Sequence, residues 1–138
     1  MNDKKMIEDS VHRHYRENDF NCARTTMKIL SKIFDYKISS QLDNAAIGMH
    51  GAGRYGAQCG LVEGTLLFLG CYLKDRGHSD AEIEGQCYTF ARSFEKEFGS
   101  LLCRALRPIG FSPDNPPHAC EELTVRAVEF SGSFIKGK

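Results

Sequence analysis

Hydrophobic residues recur along this chain at spacings of three and four, with charged residues between them. Ile7, Val11, His14 and Tyr15 predict a helix over 4–17, ended by Asn18-Asp19. A second helix runs from near Asn21 to about Phe34, with Ala23, Met27, Leu30 and Phe34 in one stripe and Cys22, Ile29 and Ile33 beside it. Residues 39–49 read as a short helix capped by Ser39 or Ser40, with Leu42, Ala45, Ala46 and Met49 facing in. Gly48, Gly51, Gly53 and Gly56 then interrupt the periodicity.

The next helix, about 57–76, is apolar almost all round between Leu66 and Leu73 and is expected to be the central one. Gly60 and Gly64 lie four apart on it, a spacing that suits close approach of another helix. Ser79 or Asp80 caps a helix over 80–98 whose face is Ile83, Cys87, Phe90, Ala91, Phe94 and Phe98. Gly99-Ser100 separates it from a short helix over 101–107 that stops at Pro108. All four prolines fall between Pro108 and Pro117, so this segment is expected to be an extended loop. A last helix is expected from Pro116-Pro117, carrying Cys120, Leu123, Ala127, Phe130 and Phe134 on one face. The fold class is therefore all-α: a compact bundle of about six helices around the central helix (57–76), in a single domain over 1–138.

Composition narrows the function classes. The chain has 138 residues, with 18 basic and 18 acidic side chains, so it carries no net charge to hold a nucleic acid or an acidic membrane. Its longest apolar run, Leu66 to Leu73, is far short of the roughly 18 residues of a membrane span. The opening residues Met1-Asn2-Asp3-Lys4-Lys5 lead into a polar helix pattern without a secretory apolar region, so a cytoplasmic location is expected. Thiols stay reduced there unless they bind metal or cycle. That draws attention to the six cysteines.

Cys71 and Cys87 sit mid-helix in apolar surroundings, where free Cys packs as a small hydrophobe. Cys22, Cys59, Cys103 and Cys120 instead fall at or near predicted helix starts. Free N–H groups and the positive end of the helix dipole stabilise a thiolate there, so their pKa values are expected to be depressed. The intervals between them match neither a zinc ribbon nor a bacterial ferredoxin run, so the fold must assemble any site they share. His118, two residues before Cys120, could substitute as a ligand or be a loop histidine.

Gly51, Gly53 and Gly56 spell G-x-G-x-x-G, but that fingerprint belongs between a strand and a helix, and a helix precedes it here. Gly53, Gly56 and Gly60 are better read as letting the backbone pass close to the sulfur of Cys59, with amides available to thiolates or cluster sulfides. Arg24, Arg54, Arg104 and Arg107 follow cysteines closely and could face thiolates, an anionic partner or solvent. The Glu95-Lys96-Glu97 stretch reads as a solvated helix face, and no nucleophile elbow supports Ser/His/Asp catalysis.

These residues resemble the redox-active protein family named for the pattern C_GCAxxG_C_C, small and mostly bacterial proteins with four characteristic cysteines. The resemblance rests on Phe20-Asn21-Cys22-Ala23, on Gly51 to Gly56 leading into Cys59-Gly60-Leu61-Val62-Glu63-Gly64, on Phe94 to Cys103, and on Cys120. Leu61 stands where the family has Ala, and Gln58 precedes Cys59 where the family pattern differs. The resemblance implies redox activity through Cys22, Cys59, Cys103 and Cys120, as a class rather than one reaction.

Three functions fit these observations. The four cysteines could ligate an iron–sulfur cluster or other thiolate-bound metal for electron transfer or redox sensing. They could form reversible disulfides as a thiol–disulfide oxidoreductase. The chain could also be a non-catalytic helical interaction module with buried thiols. The implied partners are a redox partner of unspecified identity and, as an open option, a second copy in a homodimer, with no nucleic acid and no membrane.

Overall fold

The computed structural model describes residues 3–107 and 120–138. Its elements are α1 (Asp3–Arg16), α2 (Cys22–Ile33), α3 (Ser40–Ala45), α4 (Gly51–Arg54), α5 (Gly60–Asp75), α6 (Asp80–Phe98), α7 (Cys103–Leu106) and α8 (Glu121–Ile135). The all-α expectation holds, with eight helices among the described residues rather than about six; α4, inside the glycine stretch, is the one that periodicity did not signal. The predicted extended loop, the start of the last helix at Pro116-Pro117, and His118 lie outside the described residues.

Caps form at Ser39 and Ser79, as expected, and also at Asn21. Asn21 accepts from the Arg24 amide at 2.8 Å to start α2, and Ser39 accepts from the Leu42 amide at 3.1 Å to start α3. Ser79 and Glu82 make a reciprocal capping box at α6. Two predicted helices are shorter than their hydrophobic patterns. The helix over 39–49 ends at Ala45, because the Asn21 side-chain amide takes the Ala46 and Ile47 carbonyls at 3.2 and 2.8 Å. Ala45 consequently faces solvent while Ala46 is fully buried.

The helix over 57–76 starts at Gly60, and the one over 101–107 shrinks to α7. Both losses have one cause. Gln58 and Leu102 form an antiparallel bridge, with the Cys59 amide donating to the Leu101 carbonyl at 2.8 Å and the Cys103 amide to the Ala57 carbonyl at 2.7 Å. Extended pairing and helix cannot use the same amides.

α5 is the hub, packing on α2, α6 and α8. It meets α2 through small residues. A Cβ added at Gly64 would lie 2.5 Å from the Ala23 carbonyl oxygen, and one at Gly60 would lie 2.9 Å from the Ala23 nitrogen. On its other side Phe90 and Phe94 of α6 are fully buried, and Phe98, Phe130 and Phe134 complete a set of ring contacts between α6 and α8. Burial of each such side chain contributes about 1.5–3 kcal/mol. A smaller apolar cluster of Ile7, Val11, Tyr15, Ile29 and Val128 fixes α1 to α2 and α8. Among the described residues no helix is long and apolar enough to cross a membrane.

Candidate functional site

All four singled-out cysteines stand at helix starts. Cys22 opens α2 and Cys103 opens α7, while Cys59 and Cys120 are the residues just before α5 and α8. Cys59 and Cys103 are buried, and Cys22 and Cys120 partly so. Each is positioned by its own local contact. The Asn21 side chain ties the start of α2 to the end of α3. The Gln58–Leu102 bridge sets Cys59 and Cys103 on the same side of one short paired segment, since each is one residue from the bridge. Gly60 lets Cys22 approach: a Cβ there would lie 2.5 Å from the Cys22 sulfur.

The four thiols converge electrostatically. Cys59 feels Cys22, Cys103 and Cys120; Cys22 feels Cys120 and Cys103; Cys120 feels Cys103. Every pair within the set therefore interacts. Cys71 and Cys87 take no part. They lie half-buried on α5 and α6, where desolvation raises each thiol, with lesser effects from Asp75 and Glu84 respectively. All six cysteines are free thiols. Among the described residues, no three His, Cys, Asp or Glu side chains stand in metal-binding geometry.

At Cys22, Cys59 and Cys120 the expected depression of the thiol pKa is reversed. Burial pushes Cys22 up to about 12, with Cys120 and Cys103 adding to it and Arg107 opposing. Burial likewise raises Cys59 well above the ordinary range, with Cys22 adding and the Leu61 amide opposing. Cys120 is raised by burial against the pull of Arg107. A helix terminus contributes about 0.3–1 kcal/mol to a nearby charge. At Cys22 desolvation, the largest cause, outweighs that stabilisation.

The G-x-G-x-x-G stretch is no dinucleotide loop. Gly51, Ala52, Gly53 and Arg54 have φ of 69°, 56°, 65° and 71°, so α4 is a left-handed turn. Each non-glycine residue in that conformation costs about 1–2 kcal/mol. Hydrogen bonds hold the turn: the Gly51 amide donates to the Gln58 carbonyl at 2.9 Å, and the Gly51 carbonyl accepts from Gly56 and Ala57 at 3.0 and 3.1 Å. The amides of Gly53 and Gly56 are thus spent inside the turn rather than free for sulfur. Nothing lies within 4 Å of where a Gly53 Cβ would be. Gly51 is the glycine against a thiol, since its Cβ would meet the Cys103 Cβ at 3.2 Å and Sγ at 3.4 Å.

The four arginines separate as clearly. Arg24 is taken by Asp43 in two hydrogen bonds of 3.1 and 2.9 Å. Arg104 donates to the Gly56 and Tyr55 carbonyls, and Arg54 is exposed. Arg107 alone of the four lies within electrostatic range of Cys103, Cys120 and Cys22. Tyr15 is a second neighbour that periodicity presents only as core. It is buried, 2.6 Å from the Thr124 hydroxyl, and its phenol is pushed up by burial and by Cys22, with lesser effects from Cys120 and Cys59.

With this arrangement in view, one comparison is decisive. The family model described as "Putative redox-active protein (C_GCAxxG_C_C)" matches residues 20–133. The chain belongs to this family. The match contains all four helix-start cysteines and both glycines that admit sulfur, Gly51 and Gly60. The Leu61 departure is accommodated in the core, where that side chain is 1% exposed. Gln58, the other departure, donates from its side chain to Glu63. No curated protein and no solved structure matches the chain.

Proposed function

We propose that the protein carries electrons or senses redox state through a thiolate-bound metal centre, an iron–sulfur cluster foremost, held by Cys22, Cys59, Cys103 and Cys120. The observation that carries this reading is that the four thiols lie within electrostatic range of one another. Four thiols are the donor set of iron–sulfur and structural zinc sites. Such a centre supplies one-electron transfer when it contains iron. Burial and mutual repulsion disfavour several thiolates together, and a bound cation relieves both by displacing the protons. The sulfurs must draw inward to share one ion.

Anaerobic purification and reconstitution with iron and sulfide tests this. Expected are broad visible absorption and stoichiometric iron and sulfide, lost on Cys→Ser change at any of the four positions and kept in Cys71→Ser and Cys87→Ser. Colourless, iron-free protein after that procedure overturns the reading.

A second reading is favoured by the bridge, which sets Cys59 and Cys103 on one side of a paired segment. It takes these two as a reversible disulfide exchanging with a partner thiol. Thiol titration before and after reductant separates the two, since only the disulfide reading predicts thiols that appear on reduction.

A further inference from the structure

Arg107 lies just beyond α7, with its amide donating to the Cys103 carbonyl at 3.2 Å. Its side chain turns inward. Nε and Nη1 are buried and have no hydrogen-bond partner. The ion pairs among the described residues engage Arg16, Arg24, Lys28 and other surface cations, and none involves Arg107. Two buried guanidinium nitrogens facing thiols, with no anion beside them among the described residues, make an unbalanced arrangement. Orphaned buried donors cost about 1–3 kcal/mol each, and an uncompensated buried charge costs more.

The imbalance disappears if the sulfurs carry negative charge. We infer that Arg107 is the counter-cation of the four-sulfur site: its unpartnered N–H groups are placed to meet thiolate sulfur when the site is in its working form. This rests on the reading of the four cysteines as one redox site. Arg107 is a positioning residue, acting through the sulfurs and not on a substrate. Its fork of donors suits it to touch more than one sulfur, which a lysine cannot do equally well.

Two consequences follow. Arg107 favours whichever redox form of the site carries more negative charge, so it raises the reduction potential. In metal-free protein it favours the thiolate, so it speeds attack by the cysteines. Arg107→Met, Arg107→Gln and Arg107→Lys test both, with Arg92→Met removing an equal charge from an exposed position on α6.

In anaerobically reconstituted protein, Arg107→Met should shift the one-electron equilibrium at least tenfold toward the oxidised form, about 59 mV downward. Arg107→Lys should recover part of that shift, and Arg92→Met should stay within twofold of the parent. In reduced, metal-free protein, iodoacetamide should alkylate the four cysteines of Arg107→Met about tenfold more slowly. Arg107→Gln serves if the Met variant fails to fold, as judged by helical circular dichroism. Potential and alkylation rate both within twofold of the parent, in a folded variant, overturn the assignment. If the parent protein takes up no iron, the metal reading fails, and the alkylation rate still decides the role of Arg107.

Discussion

The α2–α5 contact and the α6–α8 contact are built on opposite plans. Between α2 and α5 the side chains are absent where it matters, and Gly60 and Gly64 bring α5 against the Ala23 backbone. Between α6 and α8 the helices are held apart by phenylalanine rings, with Phe90 and Phe134 centred 5.3 Å apart and Phe94 and Phe130 6.3 Å apart. The aromatic contact supplies burial and tolerates local adjustment. The glycine contact supplies position, and the Cys22 sulfur lies directly on it. Stability and chemistry are therefore separable along this bundle.

The largest effect should come from the aromatic side. Phe94→Ala removes a fully buried ring and should cost about 3–5 kcal/mol in denaturant unfolding. Iron bound per folded molecule should remain that of the parent. Loss of iron from folded Phe94→Ala would show that the two regions are coupled after all.

Gly64→Ala and Gly60→Ala probe the other side. The added methyl gains about 1 kcal/mol of helix propensity. It also meets a backbone atom at 2.5 Å in one case and 2.9 Å in the other, so overpacking of about 1–3 kcal/mol should win. The two should differ in chemistry. Gly60→Ala also collides with the Cys22 sulfur at 2.5 Å and should lose iron, whereas the atoms nearest a Gly64 Cβ belong to Ala23 and Thr26, so Gly64→Ala should keep it. Equal iron content in both would break the link between this contact and the site.

Much of this was legible beforehand, for physical reasons. Helical periodicity exposes α1, α2, α5 and α6, and the glycine pair signals close approach, because both depend on residues near in sequence. The helix-start placement of the four cysteines was legible from the residues before them, Asn21 ahead of Cys22 and the glycine stretch ahead of Cys59 among them. The state of those thiols was not. Dipole arguments use one helix at a time, whereas burial and repulsion arise only when the fold brings Cys22, Cys59, Cys103 and Cys120 within electrostatic range of one another. Nor could the Gln58–Leu102 bridge be read from the chain, since it joins segments more than forty positions apart and overrides the helical pattern of both. Among four arginines of equal sequence status, only the fold distinguishes Arg107 from Arg24, which Asp43 neutralises.

A smaller effect lies at the surface between α1 and α2. Burial and the cations Arg13, Lys28 and Lys32 push the His14 pKa down to about 4. The folded state then binds fewer protons than the unfolded state between about pH 4 and the ordinary histidine value near 6.5. Stability should rise with pH across that window and be lost on acidification. The ring is half-exposed, so screening reduces the effect to about 1 kcal/mol. His14→Gln should flatten the slope there. It should leave the contribution of Asp43, whose carboxyl hydrogen bonding from Arg24 holds below the ordinary carboxylate range and which is lost only as pH falls through its folded value.

The smallest effect is the sharpest control. Gly70 lies on the same helix as Gly60 and Gly64, and a Cβ there meets nothing within 4 Å. Gly70→Ala should therefore stabilise the protein by about 0.4–1 kcal/mol, through helix propensity and a less flexible unfolded chain. If all glycines of α5 were needed for packing, this substitution would destabilise like Gly64→Ala. If it destabilises and its melting temperature depends on protein concentration, a second copy of the chain packs at Gly70. Stabilisation at Gly70 with destabilisation at Gly64, one and a half turns away, would confine the close contact to the α2 side, where the first sulfur sits.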